Sequence, residues 1–149
     1  MRLITVKRAH RQVPARHALR PAPAAADAPA RVNPVKLFFF YWLPVILYAG
    51  IIFLFSSQDG RGIPALFLGQ DVIFHIVEYT GFAYLIYRLI KQCRPLRKPG
   101  QALALVLLVI FIYALTDEYH QSFVPGRTAE IFDVAMDCLG GLLAGAFYR

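Results

Sequence analysis

Acid is scarce in this chain, cysteine scarcer, and charge of either sign is almost missing from its apolar runs. Nine Asp and Glu stand against sixteen Lys and Arg, a formal charge of +7. Cys93 and Cys138 are too few for a disulfide framework. One falls in a basic loop and the other inside an apolar segment, so they are expected at different depths and unpaired, because a disulfide needs Cα atoms within roughly 7 Å. The basic residues flank apolar segments, and no zinc-finger spacing, aromatic RNA-binding strand or helix-turn-helix pattern accompanies them. Nucleic acid is therefore not expected as a partner. An HExxH-like motif and a nucleophile elbow are also missing, which removes the simplest metalloprotease and α/β-hydrolase readings.

What the chain has is hydrophobicity. Of its 149 residues 58% are hydrophobic, against about 45–50% in soluble domains. The excess lies in runs, so the expectation is an all-α membrane protein of one domain. Four helices are read as transmembrane: about 37–55, 72–90, 102–116 (continuing as helix to 121) and 130–148. Tyr41 and Trp42 suit an interfacial anchor near the start of the first. Pro44 lies early enough to be tolerated. Pro125–Gly126 marks a turn, and Thr128 is the expected N-cap of the last helix. Residues 1–36, rich in Arg, Pro and Ala, cannot bury enough surface to fold and are read as a disordered basic tail ahead of a 37–149 four-helix domain. The first apolar run begins too far along for a cleaved signal peptide.

Charge orients the helices. The tail and the loop after the second helix hold thirteen of the sixteen basic residues, whereas the first and third loops hold Arg61 and Arg127. By the positive-inside rule both termini are cytoplasmic. Ser56, Ser57 and Gln58, His75 and Glu78, Asp117, Glu118, His120 and Gln121, then Glu130, Asp133 and Asp137 fall near one outward level. Eight of the nine acidic residues lie on that side. Ionisable groups at membrane depth persist mainly where they face a bundle interior or a water-filled cavity. Glu78, Asp133 and Asp137 are expected to lie deepest. Gly141 and Gly145, at GxxxG spacing, are expected to let the last helix approach its neighbours closely.

Four motifs in order, FSSQ at 55–58, HxxEY at 75–79, DEYHQSFVPGRT at 117–128 and DVxxDxxGG at 133–141, resemble the VanZ-like family of small integral membrane proteins over about residues 37–147. The resemblance singles out Ser57, Gln58, His75, Glu78, Tyr79, Glu118, Gln121, Arg127, Asp133, Asp137 and Gly140. The family commonly carries Asn where this chain has Asp137, so the local charge is more negative here. The resemblance implies a multi-pass protein of the bacterial plasma (inner) membrane, associated with the cell envelope. The founding member confers low-level teicoplanin resistance, and no mechanism comes with the name.

Two functional classes stay open. In the first, the polar groups form an outward-facing pocket that binds or modifies an envelope amphiphile: a lipid-linked cell-wall precursor, a phospholipid headgroup or a lipoglycopeptide. Its ligand set is Ser57, Gln58, His75, Glu78, Asp117, Glu118, His120, Gln121, Arg127, Asp133 and Asp137, with Arg127 on an anionic headgroup. In the second, the protein is a metal-dependent membrane hydrolase or transferase acting on a lipid ester or phosphate. A divalent metal is the one cofactor the residues suggest, with His75, Glu78, Glu118 and Asp133 as candidate ligands. His75, Glu78 and Asp133 are the candidate catalytic groups. A transporter is disfavoured, because the polar groups stop near one face.

Overall fold

The computed structural model describes residues 33–62, 67–93 and 100–148. Residues 1–32 of the basic tail, and Arg94, Arg97 and Lys98 of the basic loop, lie outside the described residues. The described residues are all-helical, without a strand. Four helices carry the fold: α1 Pro34–Ser56, α2 Gln70–Cys93, α3 Gln101–Gln121 and α4 Ile131–Phe147. Both cysteines are free.

Each helix has a local reason for its limits. At the start of α1, Asn33 accepts the Val35 amide at 2.9 Å, and Pro34 fills the first turn, where a missing N–H costs nothing. A π-helical stretch, Phe38–Trp42, ends just before Pro44. Widening the turn there relieves the clash that a proline ring makes with the preceding turn. Gly100, at φ +86°, supplies the left-handed entry to α3 that a side chain would strain. The N-cap of α4 is Glu130, not Thr128, whose hydroxyl instead donates to the Glu130 carboxylate at 3.1 Å.

α1 and α3 are long and apolar enough to cross a membrane. On all four helices large apolar side chains stay exposed, among them Leu54, Val77, Ile112 and Leu142. The buried core, Ile52, Tyr79, Phe82, Ile86, Val106, Ile110 and Val134 with small Ala83, Ala114 and Ala144, is made mostly by α2, α3 and α4. The closest helix pair is α2 with α4. A Cβ on Gly140 would lie 2.7 Å from Ile76 O and 3.0 Å from Thr80 N, so only glycine admits this approach. Thr80 Oγ1 donates to Ile76 O at 2.6 Å and reaches Gly140 O at 3.2 Å across the contact. Gly141 and Gly145 face the side chains of Leu107 and Leu103 on α3. The GxxxG pair thus lets α4 close on side chains of α3, and Gly140 lets it close on the backbone of α2.

Candidate functional site

Polar side chains meet where α1 and α3 end, α4 begins and α2 has run one or two turns. Ser56, in the last turn of α1, is buried and donates to Asp117 Oδ1 at 2.5 Å. Gln121, one turn beyond Asp117 on α3, donates to the second oxygen at 3.1 Å. Glu118 is also buried; its Oε2 accepts the Glu130 amide at 2.8 Å, and Gln121 reaches Oε1 at 3.4 Å. A carboxylate from the end of α3 therefore sits at the N-terminus of α4, where free N–H groups and the helix dipole favour negative charge.

His75 joins α2 to α4. Its Nδ1 donates to Asp137 Oδ1 at 2.9 Å, and its Nε2 lies 3.9 Å from Asp133 Oδ2, beyond hydrogen bonding. Asp137 is fully buried, and its Oδ2 has no hydrogen-bond partner among the described residues. A ring nitrogen of His75 and carboxylate oxygens of Glu118 and Asp133 all lie within 4.8 Å of one another. This grouping contains three of the four residues considered as metal ligands. Glu78, the fourth, lines the adjoining cavity instead.

The turn between α3 and α4 is tied to the end of α1. Arg127 Nη2 donates to Phe55 O at 3.1 Å and Nε to Gln58 O at 3.4 Å. A cation there meets the carbonyl-rich, partly negative end of α1. Gly60 donates its amide to Pro125 O at 3.1 Å, and a Cβ on it would collide with Gly126 backbone atoms. Outside the helices Arg61 grips Asp59 with Nη2 at 2.6 Å, and the guanidinium and amide of Arg61 hold that carboxyl below its usual range.

Between α1 and α2 lies a cavity of about 810 Å³. Its polar lining is Ser56, Gln58, Asp59, Asp71, His75, Glu78, Asp117, Gln121 and Arg127; its apolar lining is Tyr48, Ile51, Phe55, Phe74 and Val77. Ile51, Phe55, Phe74 and Val77 also belong to the exposed apolar surface. The cavity therefore joins a polar end to the greasy outside of the bundle.

Several site candidates sit differently from expectation. Asp117, Glu118 and Asp137 are the buried carboxylates, whereas Glu78 and Asp133 are part-buried and Glu130 is exposed. Ser57 faces away from the cavity lining: its hydroxyl donates to Phe53 O at 2.6 Å and stands 3.0 Å from His120 Nε2, with the His120 ring against Phe53. The Gln58 amide is turned back onto Leu54 O at 3.2 Å. Asp71 and Tyr48 were missed as lining residues, and Ser56 was placed at this level but not in the ligand set. Ser56 carried a signal in the FSSQ motif, but Tyr48 carried none beyond apolar periodicity.

No curated protein and no solved structure gives a significant match. A family profile described as VanZ/LLP1 matches residues 20–149, taking in the latter part of the segment set apart above as a tail. Since the match extends over most of the sequence, including every residue of the four-helix site, the chain belongs to the VanZ/LLP1 family.

Proposed function

We propose that this VanZ-like protein crosses the bacterial plasma membrane four times, with both termini cytoplasmic, and takes the headgroup of an envelope amphiphile into the cavity between α1 and α2. One observation carries the reading: the cavity is lined at once by buried polar groups and by side chains of the exposed apolar surface. Such a lining suits a molecule with a charged head and a hydrocarbon tail entering sideways from lipid. A water-soluble ligand would gain nothing from Phe74 and Val77, and a purely apolar one would lay hydrocarbon against the Glu78 and Asp117 carboxyls. Exposed apolar residues on every helix support four spans, although α4, at 17 residues, is only about 25 Å long.

Arg127 is the anion-binding group. Two of its five N–H donors are held by carbonyls of α1, which fixes the guanidinium and leaves the others for a phosphate or carboxylate. Glu78, Asp117 and Gln121 receive the amine or hydroxyl groups of the same head. Candidate ligands are a lipid-linked cell-wall precursor, a phospholipid or a lipoglycopeptide, and resistance to glycopeptides is the cellular readout that membership of the family suggests.

The test is binding of a short-chain anionic phospholipid to the full chain in nanodiscs, followed by native mass spectrometry, alongside teicoplanin susceptibility of cells. Arg127→Gln and Glu78→Gln are each expected to weaken binding by about tenfold or more, the loss of roughly one charge-assisted hydrogen bond. Insertion into the membrane is expected to be unchanged. Wild-type binding and susceptibility in both variants would sink the reading.

A further inference from the structure

We propose that His75, Glu118 and Asp133 bind a divalent transition-metal ion of the Zn²⁺ class, with Asp137 as the positioning residue behind His75. The proposal is independent of the amphiphile reading, although His75 also lines that cavity.

Three observations converge on it. The first is donor geometry. Neighbouring ligands of a tetrahedral ion, each about 2.1 Å away, stand about 3.4 Å apart. The His75 Nε2 and Asp133 Oδ2 atoms are already 3.9 Å apart, and the three donors lie within 4.8 Å. Small rotations of side chains close the remaining gap. The second is orientation. His75 uses Nδ1 on the Asp137 carboxylate and turns Nε2 towards Asp133. That is how metal-binding imidazoles are commonly held, with one ring N–H on a carboxylate that fixes both tautomer and ring plane.

The third observation is charge. Asp137 is fully buried and Glu118 nearly so. Among the described residues no lysine or arginine forms an ion pair with either of them or with Asp133; the ion pairs of Asp133 and Asp137 there are with His75. Arg127, four residues ahead of α4, is engaged by the Phe55 and Gln58 carbonyl oxygens. Carboxylates gathered away from water call for a cation. An imidazolium between Asp137 and Asp133 would answer for two of them; Glu118 is held by the Glu130 amide and by Gln121, neither of which is a cation. One imidazole nitrogen and two carboxylate oxygens also leave a coordination position open, as in zinc sites that do chemistry. Among the described residues Asp137 Oδ2 has no hydrogen-bond partner, so the bond to His75 is what accounts for a carboxylate at this depth.

The experiment is metal analysis of the full chain, purified in detergent, loaded with Zn²⁺ and freed of excess. About one ion per chain is expected, with X-ray absorption showing one imidazole and oxygen ligands at about 2.0–2.1 Å and no sulfur. His75→Ala and Glu118→Gln are expected to lose at least a hundredfold in Zn²⁺ affinity, and Asp133→Asn likewise. Asp137→Asn, which keeps an acceptor for Nδ1, is expected to lose about 10–100-fold, the effect of disturbing an outer ligand. A Cys93→Ser, Cys138→Ser double variant is expected to bind normally, and Arg127→Gln to keep its zinc. A wild-type chain that retains no stoichiometric metal overturns the proposal, as does undiminished zinc in His75→Ala. Should the substitutions unfold the protein, the wild-type absorption spectrum decides alone: sulfur ligation, or no histidine in the shell, refutes the site.

Discussion

α2 is flanked by two helices on very different terms. Towards α4 it comes so near at Gly140 that a single methyl would meet its backbone. Towards α1 it stands off, and the space left is the cavity of about 810 Å³. Polar chemistry divides in the same way. On the tight side His75 and Asp137 are locked together, and on the open side Glu78 and Asp117 face an unfilled volume. A rigid α2–α4 pair can hold a binding group in place while a loosely packed α1 makes room for a ligand. α1 is suited to that role, because Ile52 and Ser56 are its only buried side chains among the described residues. The lesson is that small residues decide where a helical bundle is rigid. Between lipid-bathed helices there is little hydrophobic drive to association, so close van der Waals fit and interhelical hydrogen bonds matter most.

The strongest way to break the comparison is Gly140→Ala. The added carbon falls on Ile76 O and Thr80 N, backbone atoms that cannot swing aside, and it also pushes on the Thr80 hydroxyl bond to Gly140 O. A destabilisation of about 3 kcal/mol or more is expected, in the range of overpacked cores. It is read as a lowered unfolding midpoint in detergent. A neutral result would mean that α2 and α4 are not as close as described.

Next in size is Ser56→Ala, which acts on the open side. It removes the donor to Asp117 Oδ1 and leaves a buried carboxylate with Gln121 as its remaining hydrogen-bond partner among the described residues. Losing one bond to a buried charged group costs about 1–3 kcal/mol. Ser57→Ala is the contrast. Its part-exposed hydroxyl bonds to a carbonyl one turn back and meets His120 Nε2, neither of them a buried charge, so a smaller loss of about 0.5–1 kcal/mol is expected. Equal effects at the two serines, measured by the same unfolding midpoint, would erase the distinction.

That pair also shows what the sequence could and could not tell. The four helices were legible because uncharged or periodic runs of this length have few other uses, and the gathering of polar residues at one end followed from connecting those runs in alternating directions. Facing was harder. Ser56 and Ser57 differ by about 100° around the helix axis, and with nearly every α1 position apolar no amphipathic stripe says which of them turns inward. Asp117 and Glu118 are adjacent, yet both are buried, because the end of α3 is enclosed on one side by α1 and on the other by the start of α4. A single-helix pattern cannot report enclosure from two sides. Gly140 was singled out by the family motif but not for packing: GxxxG spacing pointed to Gly141 and Gly145, whereas the contact with backbone fell one residue earlier.

The subtlest test places a methyl on the open side of α2. A Cβ at Gly81 would stand 2.5 Å from the Tyr48 hydroxyl oxygen and 3.1 Å from its ring carbon. Unlike the atoms facing Gly140, these are the far end of a side chain, whose ring stacks on Phe82 at 5.9 Å and borders the cavity. Tyr48 can therefore move into empty space. The strain of displacing it is set against the gain from replacing a helical glycine by alanine, about 0.8–1 kcal/mol in a peptide helix. Gly81→Ala is expected to leave stability within about 1 kcal/mol of wild type while lowering affinity for the amphiphile, because the ring now occupies part of its volume. Gly50→Ala supplies the control: nothing lies within 4 Å of its Cβ, so the helical gain appears alone and binding is unaffected. If Gly81→Ala destabilises as strongly as Gly140→Ala, the α1 side of α2 is as rigid as the α4 side, and the cavity is a packing defect rather than a place prepared for a ligand.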